Sequence, residues 1–419
     1  MRHLIIGNGA AGNAAAHAIR RRDPSSEITI VSDEPHAAYY RPLLPYLLHD
    51  APEGRHLFRD SLHLPRDVTV QLGARVQAVV PDEGRIDLDD GRVLAYDRLL
   101  IATGASPSLP PIDGVPGPGS FVLRTLDDAV TLKASMAAAG PSSRAVIVGG
   151  GRIGTKVALG LRHLGMAVTI VEMLQWIVPQ QLDAAAAEIF QEALQSQGIE
   201  MIFGRTVRAV RRQDGRVRGV ILDDGLELAA DLVVMATGVR PNAEIARTAG
   251  LATRRGILVN RFLQTSHPHI YAAGDVVETT DIVTGEPIVS GTWTNAVFMG
   301  EVAGENMAGG SREYPGAWGL LNAVELAGIP VISAGLVHPP LEGYDVRMRR
   351  RERAYRKLVF RGGTLVGFIL VGEVEGAGVY TAIIRERVDI SPWKEALVEK
   401  STCAPFVRTL RRFPEVYAA

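Results

Sequence analysis

Two stretches decide the fold: His3-Leu4-Ile5-Ile6-Gly7-Asn8-Gly9-Ala10-Ala11-Gly12 and, about 140 residues later, Arg144-Ala145-Val146-Ile147-Val148-Gly149-Gly150-Gly151-Arg152-Ile153-Gly154. Each reads as an apolar strand running into a Gly-x-Gly-x-x-Gly turn. A helix pattern follows, Asn13 to Arg22 in the first and Thr155 to Leu164 in the second, then another strand, Glu27 to Val31 or Ala167 to Val171. These are βαβ units of the kind that build parallel sheets. Such a turn brings backbone N–H groups and a helix N-terminus up to a pyrophosphate. One match is weak evidence. Two, each between a strand and a helix as the mechanism requires, predict two dinucleotide-binding domains. The loop residues are Gly7, Gly9, Ala10, Ala11 and Gly12 in the first, and Gly149, Gly151, Ile153 and Gly154 in the second.

An acid at the end of the second strand should bind a ribose diol. In the first unit Asp33 and Glu34 both stand there and are not distinguished. In the second the acid is Glu172, which would accept from a 2′-hydroxyl and repel a 2′-phosphate, favouring NAD over NADP.

The duplication extends further. Leu99 to Ile101 runs into Ala102-Thr103-Gly104, and Leu232 to Met235 into Ala236-Thr237-Gly238. Each is preceded by a polar meander with a hairpin turn, Asp90-Gly91 or Asp224-Gly225. A segment with five prolines and three glycines, Pro107 to Gly119, marks a first crossing between domains, and Arg240 to Gly250 a second. The expected architecture is α/β. Two Rossmann-like, doubly wound, three-layer domains each carry a β-meander: 1–110 with 250–310, and 111–249. A C-terminal α+β interface domain, 311–419, completes the chain. In it Arg356 to Phe360 and Leu365 to Val371 read as a hairpin around Arg361-Gly362-Gly363.

Composition excludes several classes. Hydrophobic residues make up 47% and charged residues 22%, with a formal net charge of −1, so no whole-molecule footprint for nucleic acid exists. No apolar run has the length of a membrane span and no secretory signal pattern is seen at Met1. Cys403 is the single cysteine. Together these predict a cytoplasmic protein that works without a disulfide. No metal site is expected: His267 and His269 flank Pro268 in a loop, and no other histidine falls at ligand spacing. Nor is there a Ser-His-Asp or paired-carboxylate arrangement to defend.

Tyr271-Ala272-Ala273-Gly274-Asp275 follows a strand pattern and ends in an acid. The ordered set of Gly7-x-Gly9-x-x-Gly12, Ala102-Thr103-Gly104, Gly149-Gly150-Gly151-x-Ile153-Gly154, Ala236-Thr237-Gly238 and Ala273-Gly274-Asp275 resembles the FAD/NAD-linked pyridine nucleotide-disulfide oxidoreductase superfamily over roughly residues 1–310. That resemblance implies FAD on the first unit and NADH on the second. It places Asp275 on the FAD ribityl chain and aims the helix beginning near Asn295 at the flavin pyrimidine edge, where negative charge gathers on reduction. Tyr40-Arg41-Pro42-Leu43-Leu44-Pro45 resembles the segment along the FAD in rubredoxin, ferredoxin and nitrite reductase flavoproteins, which assigns Arg41 and Pro42 to the cofactor.

The pattern breaks twice. Relatives with a redox disulfide carry Cys-x-x-x-x-Cys on the first long helix, and peroxidase and oxidase relatives one Cys near position 40; this chain has neither. In many relatives a Lys after the Arg-Pro segment stands by flavin N5 and pairs with a Glu two residues after the second glycine loop. Here Tyr46 matches the Lys and Lys156 the Glu. The expectation is that Lys156 now supplies the cation near flavin N5 and the nicotinamide, close to Tyr46.

The resemblance implies an NADH-driven reductase whose acceptor is rubredoxin, ferredoxin or an iron–sulfur subunit. The chain would act alone, as a homodimer, or as the NADH-facing subunit of an assembly such as a phenylglyoxylate dehydrogenase-like complex. Arg347, Arg349, Arg350, Arg351 and Arg353, with Arg408, Arg411 and Arg412 near the end, read as a basic patch that would steer an acidic carrier. The tail Ser401 to Ala419 would lie on a partner or on its own domain. The rivals are an oxygen-reducing NADH oxidase, lowered by the missing cysteine, and a dinucleotide-binding sensor or scaffold, which has no reason to keep both sites.

Overall fold

The computed structural model describes residues 1–48, 57–58, 64–140 and 142–399. Cys403, Arg408, Arg411, Arg412 and the tail from Ser401 lie outside them. The described chain forms two compact units. One gathers Met1–Ser108, Arg124–Leu126 and Val239–Ala317; the other gathers Leu109–Leu123, Asp127–Gly238 and the chain from Trp318 onward.

In the first unit five parallel strands stand in the order Ile270–Ala272, Arg98–Ile101, Arg2–Ile6, Glu27–Ser32 and Val68–Leu72. The central strands are almost wholly apolar because both sheet faces are covered. Helices Ala10–Arg22 and Trp293–Met307 pack together closely. A Cβ on Gly300 would stand 2.2 Å from the Ala11 carbonyl oxygen, and one on Gly304 2.4 Å from that of Ala15. The antiparallel meander Val76–Val80, Arg85–Leu88 and Val93–Ala95 adds Val79, Ile86 and Leu88 to the same core.

The second unit repeats the plan. Ile199–Phe203, Ala167–Glu172, Arg144–Val148, Leu232–Met235 and Ser120–Phe121 form its parallel sheet, and Val207–Gln213, Arg216–Leu222 and Glu227–Ala229 its meander. The chain then builds a five-stranded antiparallel sheet in the order Leu321–Leu326, Ile329–Gly335, Thr364–Val371, Ala354–Arg361 and Asp345–Arg351, with helices Ala377–Arg385 and Lys394–Glu399. This C-terminal sheet is tied to the second repeat through Asp183. The Asp183 carboxylate caps helix Ala184–Ser196 at the Ala186 N–H (3.0 Å) and also accepts from the Tyr355 hydroxyl (2.7 Å) and the Lys357 ammonium (2.9 Å).

The arginine cluster of Asp345–Arg351 departs from expectation. Only Arg347, Arg349 and Arg351 alternate on the strand; Arg353 lies in the turn beyond it. Carboxylates neutralise the row: Arg347 pairs with Asp345 and Glu395, Arg349 with Glu399, Arg350 with Glu188 and Arg351 with Glu373. Among the described residues the patch is therefore a lattice of alternating charge, not a bare positive field, and long-range steering by it is correspondingly weak.

His3 sits in the central strand of the first sheet, 1% exposed, and neither ring nitrogen has a hydrogen-bond partner among the described residues. Burial lowers its pKa from 6.5 to about 4, against the pull of Asp23. The unfolded chain thus binds this proton near pH 6.5 and the folded chain only near 4. Stability from the neutral ring is present above pH 6.5 and is lost as pH falls through that window. His3→Val should flatten the fall of the urea midpoint between pH 7 and 5; an unchanged slope would assign the acid sensitivity elsewhere.

Candidate functional site

The two glycine loops share one construction. Gly7 and Gly149 adopt left-handed φ of +114° and +105°, and each N–H donates across the sheet, to Val31 and Val171, at 2.8 Å. A Cβ on Gly7 would meet the Ala102 carbonyl oxygen at 2.2 Å, and one on Gly149 that of Ala236 at 2.4 Å. The helices start earlier than the sequence reading places them, at Ala10 and Arg152, so Gly12 and Gly154 lie in the first helical turn rather than in the loop. Each is pressed 2.0 Å, measured from a notional Cβ, against the carbonyl oxygen of the loop's first glycine, and only hydrogen fits. By contrast, the space where Gly9 and Gly151 would carry a Cβ is open. Those two residues are the helix N-caps, without a side-chain cap bond. An open face beside uncapped helix N–H groups is the cradle a pyrophosphate requires, so both loops fit the groups assigned to them.

Around the first loop, Glu34 and Asp33 separate. Asp33 is exposed, whereas Glu34 is half-buried and accepts from Arg41 (2.6 Å) and from the Tyr39 hydroxyl (2.5 Å). Arg41 opens the 3-10 helix Arg41–Leu48, with Pro42 next to it. It also donates to the Tyr39 oxygen (2.9 Å) and the Arg124 carbonyl (2.7 Å). Burial, opposed by Arg41 and reinforced by Glu34, raises the Tyr39 pKa above its ordinary value. The hydroxyl thus stays protonated and donates to Glu34, while the Leu126 N–H donates to it (3.0 Å).

Asp275 follows Gly274, whose φ is +84°, and pairs with Arg124 at 3.1 Å. Helix Trp293–Met307 begins two residues before Asn295 and is capped by Thr292. Asn295 is buried and donates to Ser290 (2.5 Å). Ala102 and Thr103 stand at the strand end beside Gly7; the Thr103 hydroxyl donates to the Asn242 carbonyl and the Asn242 amide returns a bond to Thr103, both at 2.9 Å. Gly104 takes φ of +68°. Sequence reasoning missed Arg124, Tyr39, Asn242 and Trp293, whose ring stacks on Tyr40 at 4.8 Å. Arg124 stands just past a proline-rich linker with no local motif to mark it.

In the second unit Glu172 ends its strand, nearly buried. It accepts the Gly150 N–H at 2.6 Å and the Leu174 N–H at 2.9 Å, which turns the carboxylate toward the loop. The next residues, Met173 and Leu174, are exposed and apolar and offer no cation to a 2′-phosphate. Ile153 is exposed, Gly238 adopts φ of +92°, and Lys156 is half-buried one turn along helix Arg152–His163. Tyr46 belongs to the other unit, where it is exposed. Among the described residues no group of His, Cys, Asp and Glu could hold a metal ion, and no helix is long and apolar enough to cross a membrane.

Arg124→Ala removes the cation paired with Asp275 while keeping the backbone carbonyl to which Arg41 donates, so it isolates the Arg124–Asp275 pair. The expected outcome is a purified protein with markedly less bound FAD and a normal far-UV circular dichroism spectrum. Full flavin content would show that the pair is dispensable.

Comparison with known proteins agrees with this geometry. Residues 1–300 match the family described as pyridine nucleotide-disulphide oxidoreductase, and residues 321–388 the rubredoxin NAD+ reductase C-terminal domain. The chain is 34% identical to the NADH-dependent phenylglyoxylate dehydrogenase subunit epsilon of Aromatoleum evansii, over 95% of this chain and 94% of that one. It is also 34% identical to an NADH oxidase of Methanocaldococcus jannaschii, over 89% and 88% of the two chains. The structure of an NAD-dependent persulfide reductase from A. fulgidus superposes with a TM-score of 0.88 at 27% identity, covering 99% of this chain and 84% of that one. A single cysteine cannot form an internal disulfide, so any redox disulfide within this chain is ruled out. With paired glycine loops, paired meanders and the C-terminal sheet all in place, the chain belongs to the pyridine nucleotide-disulphide oxidoreductase family, FAD-dependent enzymes that oxidise NAD(P)H.

Proposed function

We propose that this protein oxidises NADH and passes the electrons through FAD to a protein acceptor, a rubredoxin, a ferredoxin or an iron–sulfur subunit, in the cytoplasm. The observation that carries the donor side is Glu172, turned toward the second glycine loop and followed by Met173 and Leu174. A carboxylate there accepts from a ribose diol and repels a 2′-phosphate. The acceptor side is supported by the C-terminal match to rubredoxin reductases and by the lack of a thiol pair to relay electrons.

When bound, FAD supplies the redox chemistry, taking a hydride from NADH and handing electrons on. The chain's own residues bind and orient. On the FAD side these are Gly7, Gly9, Ala10, Ala11 and Gly12 for the pyrophosphate, Glu34 rather than Asp33 near the ribose, Arg41, Pro42, Ala102, Thr103 and Gly104 along the cofactor, and Gly274, Asp275 and Asn295 toward its ring. Glu34 is preferred because its carboxylate is fixed by Arg41 and Tyr39. On the NADH side they are Gly149, Gly151, Ile153, Gly154, Glu172 and Gly238. Lys156 supplies positive charge for the reacting rings, and Tyr46 is the second residue assigned to that place.

The identity with the phenylglyoxylate dehydrogenase subunit, which extends over nearly the whole of both chains, favours a second reading: the chain is the NADH-facing subunit of a larger iron–sulfur enzyme. Isolation from the source under mild anaerobic conditions separates the two. A yellow protein alone or as a homodimer supports a freely diffusing reductase, and iron–sulfur subunits in fixed ratio support the assembly.

Anaerobic mixing tests the donor assignment. NADH should bleach the flavin absorbance at least about tenfold faster than NADPH at equal concentration, since burying like charges together is costly. Equal rates would remove Glu172 from the nucleotide site. Lys156→Ala should slow NADH-driven bleaching by roughly ten- to a hundredfold and lower the flavin potential. If rate and potential both stay as in the parent, Lys156 has no part in the site.

A further inference from the structure

The second glycine loop is fixed by a turn that the C-terminal sheet holds. Both backbone polar groups of Gly150, the middle residue of the loop, are engaged. Its N–H donates to the Glu172 carboxylate at 2.6 Å, and its carbonyl accepts from the Val178 N–H at 2.8 Å. In a trans peptide the carbonyl of one residue and the N–H of the next point in opposite directions. The Val178 bond therefore sets the direction of the Gly151 N–H, and Gly151 is where the loop is open.

Val178 makes that bond from a conformation its side chain opposes. Its φ is +50°, in the left-handed region that a β-branched residue rarely enters. Such a conformation persists only where its surroundings over-determine it. Within the turn, the Gln181 and Leu182 N–H groups donate to the Val178 carbonyl at 3.0 and 3.1 Å, and the Trp176 indole N–H donates to the Leu182 carbonyl at 2.9 Å. Ile177, Val178 and Leu182 are buried. The anchor comes next in the chain. The Asp183 carboxylate meets Lys357 and Tyr355, which sit two apart on strand Ala354–Arg361 and so share one face of it. The Lys357 side chain is only 9% exposed, so the ion pair is little screened by solvent. His338, beyond strand Ile329–Gly335 of the same sheet, donates from Nε2 to the Pro179 carbonyl at 2.9 Å. All of these residues belong to one compact unit.

We propose that Lys357 is a positioning residue for the dinucleotide: by holding Asp183 it keeps Val178 in its left-handed turn, and the Gly150–Gly151 peptide in the orientation that binds a pyrophosphate. This rests on the reading that the second loop holds NADH. It gives the C-terminal sheet a share in nucleotide affinity without any contact to the nucleotide.

Anaerobic bleaching of the FAD-loaded protein over a range of NADH concentrations tests it. Lys357→Met should raise the half-saturating NADH concentration about threefold to tenfold, with the maximal rate within twofold of the parent, because an orienting device for the loop acts on binding and not on hydride transfer. Lys357→Arg, which keeps a cation for Asp183, should recover part of the loss. Val178→Gly keeps the N–H and adopts the left-handed φ without strain. Added to Lys357→Met, it should return at least half of the lost affinity while the melting temperature stays low, which a merely structural role of Lys357 would not produce. Half-saturation less than threefold above the parent's would overturn the role of Lys357, and a loss that Val178→Gly does not reverse would overturn the route through the turn. If Lys357→Met loses its flavin, Tyr355→Phe decides. It removes one donor to Asp183 and leaves the ion pair, and it should raise half-saturation at least twofold; no rise would overturn the proposal. A parent protein that NADH does not bleach would overturn the nucleotide reading of the loop, and this inference with it.

Discussion

Both nucleotide sites depend on a carbonyl oxygen lying closer to a glycine than any side chain permits. Gly12 and Gly154 bring the first helical turn against the backbone of Gly7 and Gly149, which in turn crowd Ala102 and Ala236. These contacts set the distance from helix to strand, and so decide where the uncapped N–H groups of the helix point. Any larger residue would push helix and strand apart and turn the loop away from a phosphate. The constraint is met twice in one chain, with matching hydrogen bonds to Val31 and Val171.

Much of this was legible in the sequence because it is local. Strand, glycine turn, helix and strand lie within about thirty residues, and period and turn chemistry fix them without tertiary help. The meanders, the hairpin around Gly362 and the acid Glu172 belong to the same class. The helices begin earlier than the local pattern indicates because the third glycine reads as loop. Its role, close approach within a helical turn, is a tertiary fact. Arg124 was invisible for a related reason: its meaning comes from Asp275, about 150 residues away. The choice between Asp33 and Glu34 likewise needed Arg41 and Tyr39 to be placed. The arginine cluster reads as a basic patch in the sequence because composition along the strand does not reveal that Glu188, Glu373, Glu395 and Glu399 come from other elements to meet it.

Charge is redistributed between the two halves of the molecule. In the first unit cations come from outside the glycine loop, as Arg41 and Arg124 paired to Glu34 and Asp275. In the second they are built into the helix that leaves the loop, as Arg152 and Lys156. The duplicated backbone is therefore kept while its electrostatics diverge, in the way a common fold comes to hold different ligands.

The packing of helix Trp293–Met307 on helix Ala10–Arg22 has a consequence for the order in which the protein can be made. The first unit is split: its opening segment ends at Ser108, and the strand and helix that complete it arrive only after Val239. Until then the sheet lacks its edge strand Ile270–Ala272, and the small-residue face of Ala11 and Ala15 has nothing against it. On a ribosome that delivers roughly 5–20 residues per second, the opening segment waits many seconds with an unpaired strand edge exposed. The nucleotide part of the second unit, almost continuous from Asp127 to Gly238, is synthesised whole in the meantime. Synthesis thus favours the second nucleotide fold forming before the first, and the cofactor that colours the protein would be the later of the two to find its place.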